Sequence, residues 1–256
     1  MINAYSGIKE LSEFKNPLFI GPHPDDIEFG CGGLISKMRD KGAHISFLIV
    51  TDGAAGSKDP NANPKEIMEI REKEANLSAK FLGVSNITFL RYEDGGEYTK
   101  EELINSLAKH ILSINPDIVF TVDPKLESET HSDHLKVGQA TKEALQVVPY
   151  PVTCKRHGID ISNVKTFPNN IMLAHYFTDK PNMFVEISEA NFNDKIKSLL
   201  FHESQMADPS SQLLFEYFRM KAQLDGAQIK KPLAESYLII PAIMSHVYSL
   251  GLNFNK

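Results

Sequence analysis

The sequence predicts an α/β fold: a Rossmann-like, mainly parallel twisted sheet with helices on both faces. Three observations predict it. Short apolar, β-branched runs recur along the first half, helical patterns lie between them, and 256 residues at 42% apolar content suit one large α/β domain better than two small ones. Strands alternating with helices of this length imply right-handed crossovers and hence parallel strands.

In chain order, Leu18–Ile20 is the first buried strand. Leu34, Ile35 and Met38, stopped by Gly42, read as an amphipathic helix. Ile45–Val50 is a second strand, and Lys65–Leu82 a helix closed by Gly83. Ile87–Leu90 is a third strand. Glu101–Ile114 places Leu103, Ile104, Leu107, Ile111 and Leu112 on one helical face before Pro116 ends it. Ile118–Val122 is a fourth strand, followed by a helix over Leu135–Val147 for which Ser132-Asp133 can supply the cap. Beyond, Ile171–Phe177 and Met183–Ile187 read as strands, Asn191–Gln205 and Gln212–Leu224 as helices, and Tyr237–Met244 as a last apolar run. The stretches Gly53–Pro64 and Tyr150–Pro168 are long for simple connections, as lids and subunit contacts often are. A single domain over 1–256 is expected, with an irregular portion from about 150 completing the site and the subunit contacts.

A net charge of −6 without a Lys or Arg run argues against a nucleic-acid surface. Cys31 and Cys154 form no CxxC pair, so a metal would be held by nitrogen and oxygen, and a reducing cytoplasm is the expected compartment. No signal-peptide pattern and no long apolar run suggests export or a membrane.

The chemistry is concentrated in two clusters. Gly21-Pro22-His23-Pro24-Asp25-Asp26-Ile27-Glu28 follows the first strand, and His131-Ser132-Asp133-His134 follows the fourth, where α/β sheets bind ligands. Buried acids need a compensating charge, and a cation is the usual one. His23, Asp26 and His134 make two imidazoles and a carboxylate, the ligand set of hydrolytic zinc, although such a set also takes other divalent ions. Asp25 is the candidate general base. His131 would stabilise an oxyanion and protonate a leaving amine, and Asp133 would fix one imidazole by accepting its N–H. Without a metal, His23–Asp26 reads as an Asx-capped turn and Ser132-Asp133 as a helix cap.

With these motifs the chain resembles the LmbE-like (PIG-L type) zinc-dependent N-deacetylases, and within them the archaeal diacetylchitobiose deacetylases. The resemblance extends to Thr51-Asp52-Gly53, Arg71–Ala75, Tyr92–Gly95, Asp123–Leu126, Tyr176–Val185, His202-Glu203-Ser204-Gln205 and Pro241–His246. It implies His23, Asp26 and His134 as zinc ligands, Asp25 as base and His131 as the electrostatic partner. It further implies that Arg71 and Asp94 bind the sugar, that His246 reaches the site of a neighbouring subunit, and that the chain forms a homo-oligomer, trimer or hexamer. Otherwise Arg71 would be a helix-surface ion pair with Glu74 or Glu69, Asp94 a turn residue and His246 a half-buried histidine. Leu126-Glu127-Ser128-Glu129 is more acidic than this resemblance leads one to expect, and Gly53–Pro64 differs in composition; both would border the substrate.

The expected activity is removal of acetyl from an N-acetylglucosamine-type (2-acetamido) sugar or short chitooligosaccharide. The alternatives are another N-acyl conjugate (thiol precursor, glycolipid or antibiotic) and a non-catalytic nucleotide-binding module. No GxGxxG follows the first strand, which counts against the last.

Overall fold

The computed structural model describes residues 10–208 and 211–241. Among the described residues seven strands form one sheet in the order β3-β2-β1-β4-β5-β7-β6. They are β1 (Pro17–Gly21), β2 (Ser46–Thr51), β3 (Asn86–Tyr92), β4 (Ile118–Val122), β5 (Met172–Tyr176), β6 (Met183–Glu186) and β7 (Ala234–Ile240). The pairs β1–β2, β1–β4, β2–β3 and β4–β5 are parallel; β7 runs antiparallel to both neighbours. The helices are α1 (Asp26–Asp40), α2 (Pro64–Phe81), α3 (Lys100–Ile114), α4 (Ser132–Val147), α5 (Pro151–Arg156), α6 (Glu189–Leu200), α7 (Glu203–Met206) and α8 (Ser211–Gln228). Among the described residues no helix is long and apolar enough to cross a membrane.

The period-2 alternation of each strand sends neighbours to opposite layers. Phe19, Phe47 and Phe120 join Leu34, Ile35 and Met38 of α1 in one core, whereas Leu18, Ile20, Leu48 and Val119 meet Leu103, Leu107 and Ile111 of α3 and Val137 and Ala140 of α4 in the other. Phe19 and Phe120 stack across β1 and β4 with ring centroids 4.4 Å apart. The central strands are buried on both faces, which is why their sequences are mostly apolar, with only the small hydroxyl residues Ser46, Thr51 and Thr121 among them.

The predicted elements recur with shifted ends. α1 begins at Asp26, earlier than its apolar face suggests, because its first turn carries buried acids instead of leucines. The predicted Asn191–Gln205 helix is divided into α6 and α7 around His202. Within Tyr150–Pro168, Pro151 at the first helical position starts the short α5. His246 lies outside the described residues.

The glycines of Gly30-Cys31-Gly32-Gly33 lie in the interior of α1, where they permit close packing. A Cβ on Gly30 would sit 2.3 Å from Cδ2 of the fully buried Tyr176, whose hydroxyl donates to Ile20 O. Gly30→Ala is therefore expected to cost about 2–3 kcal/mol, lowering Tm by roughly 5–10 °C in thermal unfolding.

His175 on β5 is 1% exposed, its Nδ1 2.9 Å from Val122 O. Burial holds its pKa down at about 4, against partial opposition from Asp123. The unfolded chain takes up this proton near pH 6.5 and the folded chain only near 4, so stability falls as pH drops through that window, by up to about 3 kcal/mol. In His175→Asn, denaturant titrations at pH 4 and 7 should show a smaller difference than in wild type.

Candidate metal and catalytic site

The strand order fixes where the site lies. From β1 the chain crosses to β2 on one side, while β4 lies on the other side of β1, so the connections leaving β1 and β4 diverge and open a crevice beyond their carboxyl ends. The β1–α1 turn carries His23, Asp25 and Asp26, and the β4–α4 connection carries Glu129, His131, Asp133 and His134. Adjacent strands thus bring together clusters about a hundred residues apart in sequence.

One oxygen is the focus. Asp26 Oδ2 lies 3.0 Å from His23 Nδ1 and 3.3 Å from His134 Nε2, and it accepts from His23 N–H at 2.8 Å. These three side chains can offer ligand atoms within 4.8 Å of one another. Ligands at about 2.0 Å around tetrahedral zinc stand about 3.3 Å apart, so the donor set and its spacing fit a metal of that size. The outer nitrogens are also held: His23 Nε2 is 3.2 Å from Asp94 Oδ1 and 3.4 Å from Asp133 Oδ2, and His134 Nδ1 is 2.7 Å from Glu129 Oε2. Carboxylates on the far side of two imidazoles orient the rings and raise their basicity as ligands.

The charges follow from this geometry. Burial works against the His23 cation, but hydrogen bonds with Asp133, Asp26 and Asp94 outweigh it and leave the imidazole pushed up to about 12. Burial likewise opposes ionisation of Asp26, yet His134 and His23 hold its carboxyl far below the usual range. Asp133 is also held low, because His23, Gly95 N–H and Tyr98 OH overcome its burial. These carboxylates are therefore ionised at neutral pH, and a bound cation would replace the proton they hold on His23, since a ligating imidazole must be neutral.

Asp25 differs from its neighbours. It precedes the first turn of α1 at φ 126°, a conformation costing a non-glycine residue on the order of 1–3 kcal/mol, and its side chain makes no capping bond. The Asx-cap alternative is thereby excluded. Instead, Arg71 Nη2 donates to Asp25 Oδ2 at 3.1 Å and to Pro24 O at 2.7 Å, while Nη1 donates to Gly53 O at 2.8 Å. Burial pushes the Asp25 carboxyl up to about 7, with Arg71 pulling it down and Asp26 pushing it up.

Arg71 is 3% exposed, so it is no surface ion pair with Glu74 or Glu69. Asp94 Oδ1 meets His23, and its Oδ2 accepts from Ala55 N–H at 3.2 Å. The α4 cap is His131, whose Nδ1 accepts from Asp133 N–H at 3.3 Å, in place of Ser132 or Asp133. The His131 side chain is 45% exposed and stands edge-on to His23, centroids 4.5 Å apart. His23, Asp94, His131 and Asp133 form a second set of potential ligands sharing His23 with the first.

Glu129 is the residue whose role the sequence did not disclose. Its Oε1 accepts from the N–H groups of Thr130 and His131 while Oε2 reaches His134, whereas Glu127 is exposed. If Glu129 orients a ligand, Glu129→Gln should weaken zinc affinity by about 10–100-fold in a chelator competition, with the fold intact.

Beside His134 and Glu129 opens a cavity of about 530 Å³ walled by Phe29, Leu126, Phe177, Tyr217 and Phe218. Its lining includes the buried pair of Lys195 Nζ and Glu235 Oε1, 2.8 Å apart. A nucleotide-binding module does not fit this crevice. A phosphate at the α1 N-terminus would face Asp25, Asp26 and Glu28, and the glycines that could approach it are packed against Tyr176, Lys195 and Glu235.

A crevice at this switch point, with two imidazoles around one carboxylate, accords with the comparisons to known proteins: residues 18–145 match the family model PIG-L, GlcNAc-PI de-N-acetylase, and the chain belongs to that family. It is 32% identical over 244 residues to the diacetylchitobiose deacetylase of Thermococcus kodakarensis, covering 93% of this chain and 87% of that one. The solved structure of N,N'-diacetylchitobiose deacetylase from Pyrococcus horikoshii, complexed with an inhibitor, superposes with a TM-score of 0.87 at 30% identity, covering 97% of this chain and 93% of that one. A probable N-acetyl-alpha-D-glucosaminyl L-malate deacetylase of Bacillus cereus is 26% identical over 196 residues, covering 75% of this chain and 84% of that one.

Proposed function

We propose that this chain is a zinc-dependent deacetylase of 2-acetamido sugars, working as a single LmbE-like domain in the cytoplasm. The observation that carries the reading is the convergence of His23 Nδ1 and His134 Nε2 on Asp26 Oδ2, with Asp25 held in a strained backbone beside it. His23, Asp26 and His134 would hold the ion. When bound, zinc would supply Lewis acidity toward the attacking water and the acetamide carbonyl.

The remaining chemistry belongs to the chain. Arg71 engages Asp25 Oδ2, leaving Oδ1 to take the proton of the attacking water. Since His131 Nδ1 is turned to the Asp133 N–H, Nε2 is the atom that meets the carbonyl oxygen as charge gathers there and passes a proton to the departing amine. Asp133 and Glu129 keep the two ligand rings oriented. Arg71 and Asp94 border the position of the sugar hydroxyls. The aromatic-walled cavity beside His134 suits the part of the substrate beyond the acetamide. Products are acetate and the free amino sugar.

The test is amine release by the zinc-loaded protein from N-acetylglucosamine, N,N'-diacetylchitobiose and N-acetylglucosaminyl conjugates of a thiol precursor, a glycolipid and an antibiotic. Turnover of at least one free 2-acetamido sugar is expected. Turnover of a conjugate alone moves the assignment to that class, and no amine from any of them overturns it.

A further inference from the structure

Behind Asp25 lies a group of buried polar side chains that the reaction as described leaves unused. Glu28, in the first turn of α1, is 1% exposed. Its Oε1 accepts from Ser78 Oγ at 2.6 Å and lies 3.1 Å from His202 Nε2, and both partners are fully buried. Glu28 Oε2, His202 Nδ1 and Arg71 Nε make no hydrogen bond among the described residues. An acid, an imidazole and a hydroxyl buried with atoms left over are a poor way to hold α1, α2 and the α6–α7 connection together, since apolar side chains of similar volume would do so at least as well.

What these groups supply is register. Arg71, Glu74 and Ser78 lie on one face of α2, at spacings of three and four. Arg71 grips Pro24 O and Asp25 Oδ2, Ser78 grips Glu28, and Glu74 accepts from both Ser204 N–H and Ser204 Oγ at 2.7 Å. The turn bearing Asp25 and Asp26 is thus tied to α2 on both sides, and the segment 202–204 is tied to α1 and α2 together. This is also why the chain breaks helix at His202, between α6 and α7. A residue at φ 126° keeps its conformation only where its surroundings fix it from several directions.

We propose that His202 is a positioning residue: through Glu28 it fixes the first turn of α1, and with it the strained backbone that presents Asp25 to the His23–Asp26–His134 cluster. The proposal deepens the deacetylase reading and rests on Asp25 being its base. Small displacements of a reacting group cost rate far more than they cost binding, so the effect belongs in kcat.

The experiment compares His202→Ala, His202→Gln and Ser78→Ala in the zinc-loaded full chain, measuring zinc content, kcat and KM with N,N'-diacetylchitobiose, beside Asp25→Asn. His202→Ala is expected to lose about 10–100-fold in kcat with KM within about twofold and zinc content unchanged. Glutamine, whose amide nitrogen reaches the position of Nε2, should restore kcat to within about threefold of wild type, and Ser78→Ala should lose about threefold in kcat. Wild-type kcat in His202→Ala, a glutamine variant as poor as the alanine one, or a loss that follows zinc content overturns the positioning role. Should His202→Ala fail to fold, wild-type kcat in Ser78→Ala overturns it equally. An inactive Asp25→Asn beside an active His202→Ala rejects the positioning role alone, whereas an active Asp25→Asn rejects the base itself.

Discussion

Asp25→Asn should lose about 10²–10⁴-fold in kcat while binding zinc as wild type does. The asparagine keeps the size of the side chain and an oxygen for Arg71, so the β1–α1 turn should survive. It cannot accept a proton, and general-base catalysis of this kind contributes that range of rate. The pH profile adds a sign. With only the chain's own charges, burial puts the Asp25 carboxyl at about 7; a bound cation beside it favours the carboxylate, so the rising limb of kcat/KM should lie below pH 7. Below that limb the base is protonated and the rate falls tenfold per pH unit. In Asp25→Asn the limb should disappear. Stopped assays across pH 4–8, with zinc measured on the same samples, check both statements.

His134→Ala should lose the metal itself. Removing this imidazole leaves one histidine and one carboxylate, and Glu129 Oε2 loses its partner at 2.7 Å. Loss of an orienting partner alone weakens metal binding 10–100-fold, so loss of the ligand should exceed about 100-fold and leave activity near background. The two variants are thus expected to differ: Asp25→Asn is zinc-loaded and nearly inactive, His134→Ala is zinc-free and inactive. Equal zinc content and equal activity in both would refute the division of roles.

The central sheet was legible in the sequence because strands buried on both faces must be largely apolar, as Ile118–Val122 is apart from Thr121. The two His/Asp clusters were legible because each crowds imidazoles and carboxylates just beyond a buried strand, where α/β sheets bind ligands, and the β1–β4 adjacency then brings them together. The rest depended on contacts that no local pattern encodes. Arg71 reads as a surface residue until the packing of α2 buries it over Pro24 and Gly53. Glu129 reads as part of an acidic rim until its carboxylate is seen on His134. β7 begins at Ala234, before its apolar run, because Glu235 is buried against Lys195 and the backbone N–H groups of Gly33 and Leu34, partners about forty and two hundred residues away. Likewise, nothing beside His202 in sequence announces that it turns inward to Glu28.

The account stands on a single ion shared by His23, Asp26 and His134. Anomalous diffraction at the zinc edge from crystals of the zinc-loaded chain tests it most directly. The prediction is one full-occupancy peak within about 2.3 Å of His23 Nδ1, an Asp26 carboxylate oxygen and His134 Nε2, with Asp25 outside bonding distance. A peak held instead by Asp94, His131 and Asp133, or one with Asp25 as a ligand, would contradict it.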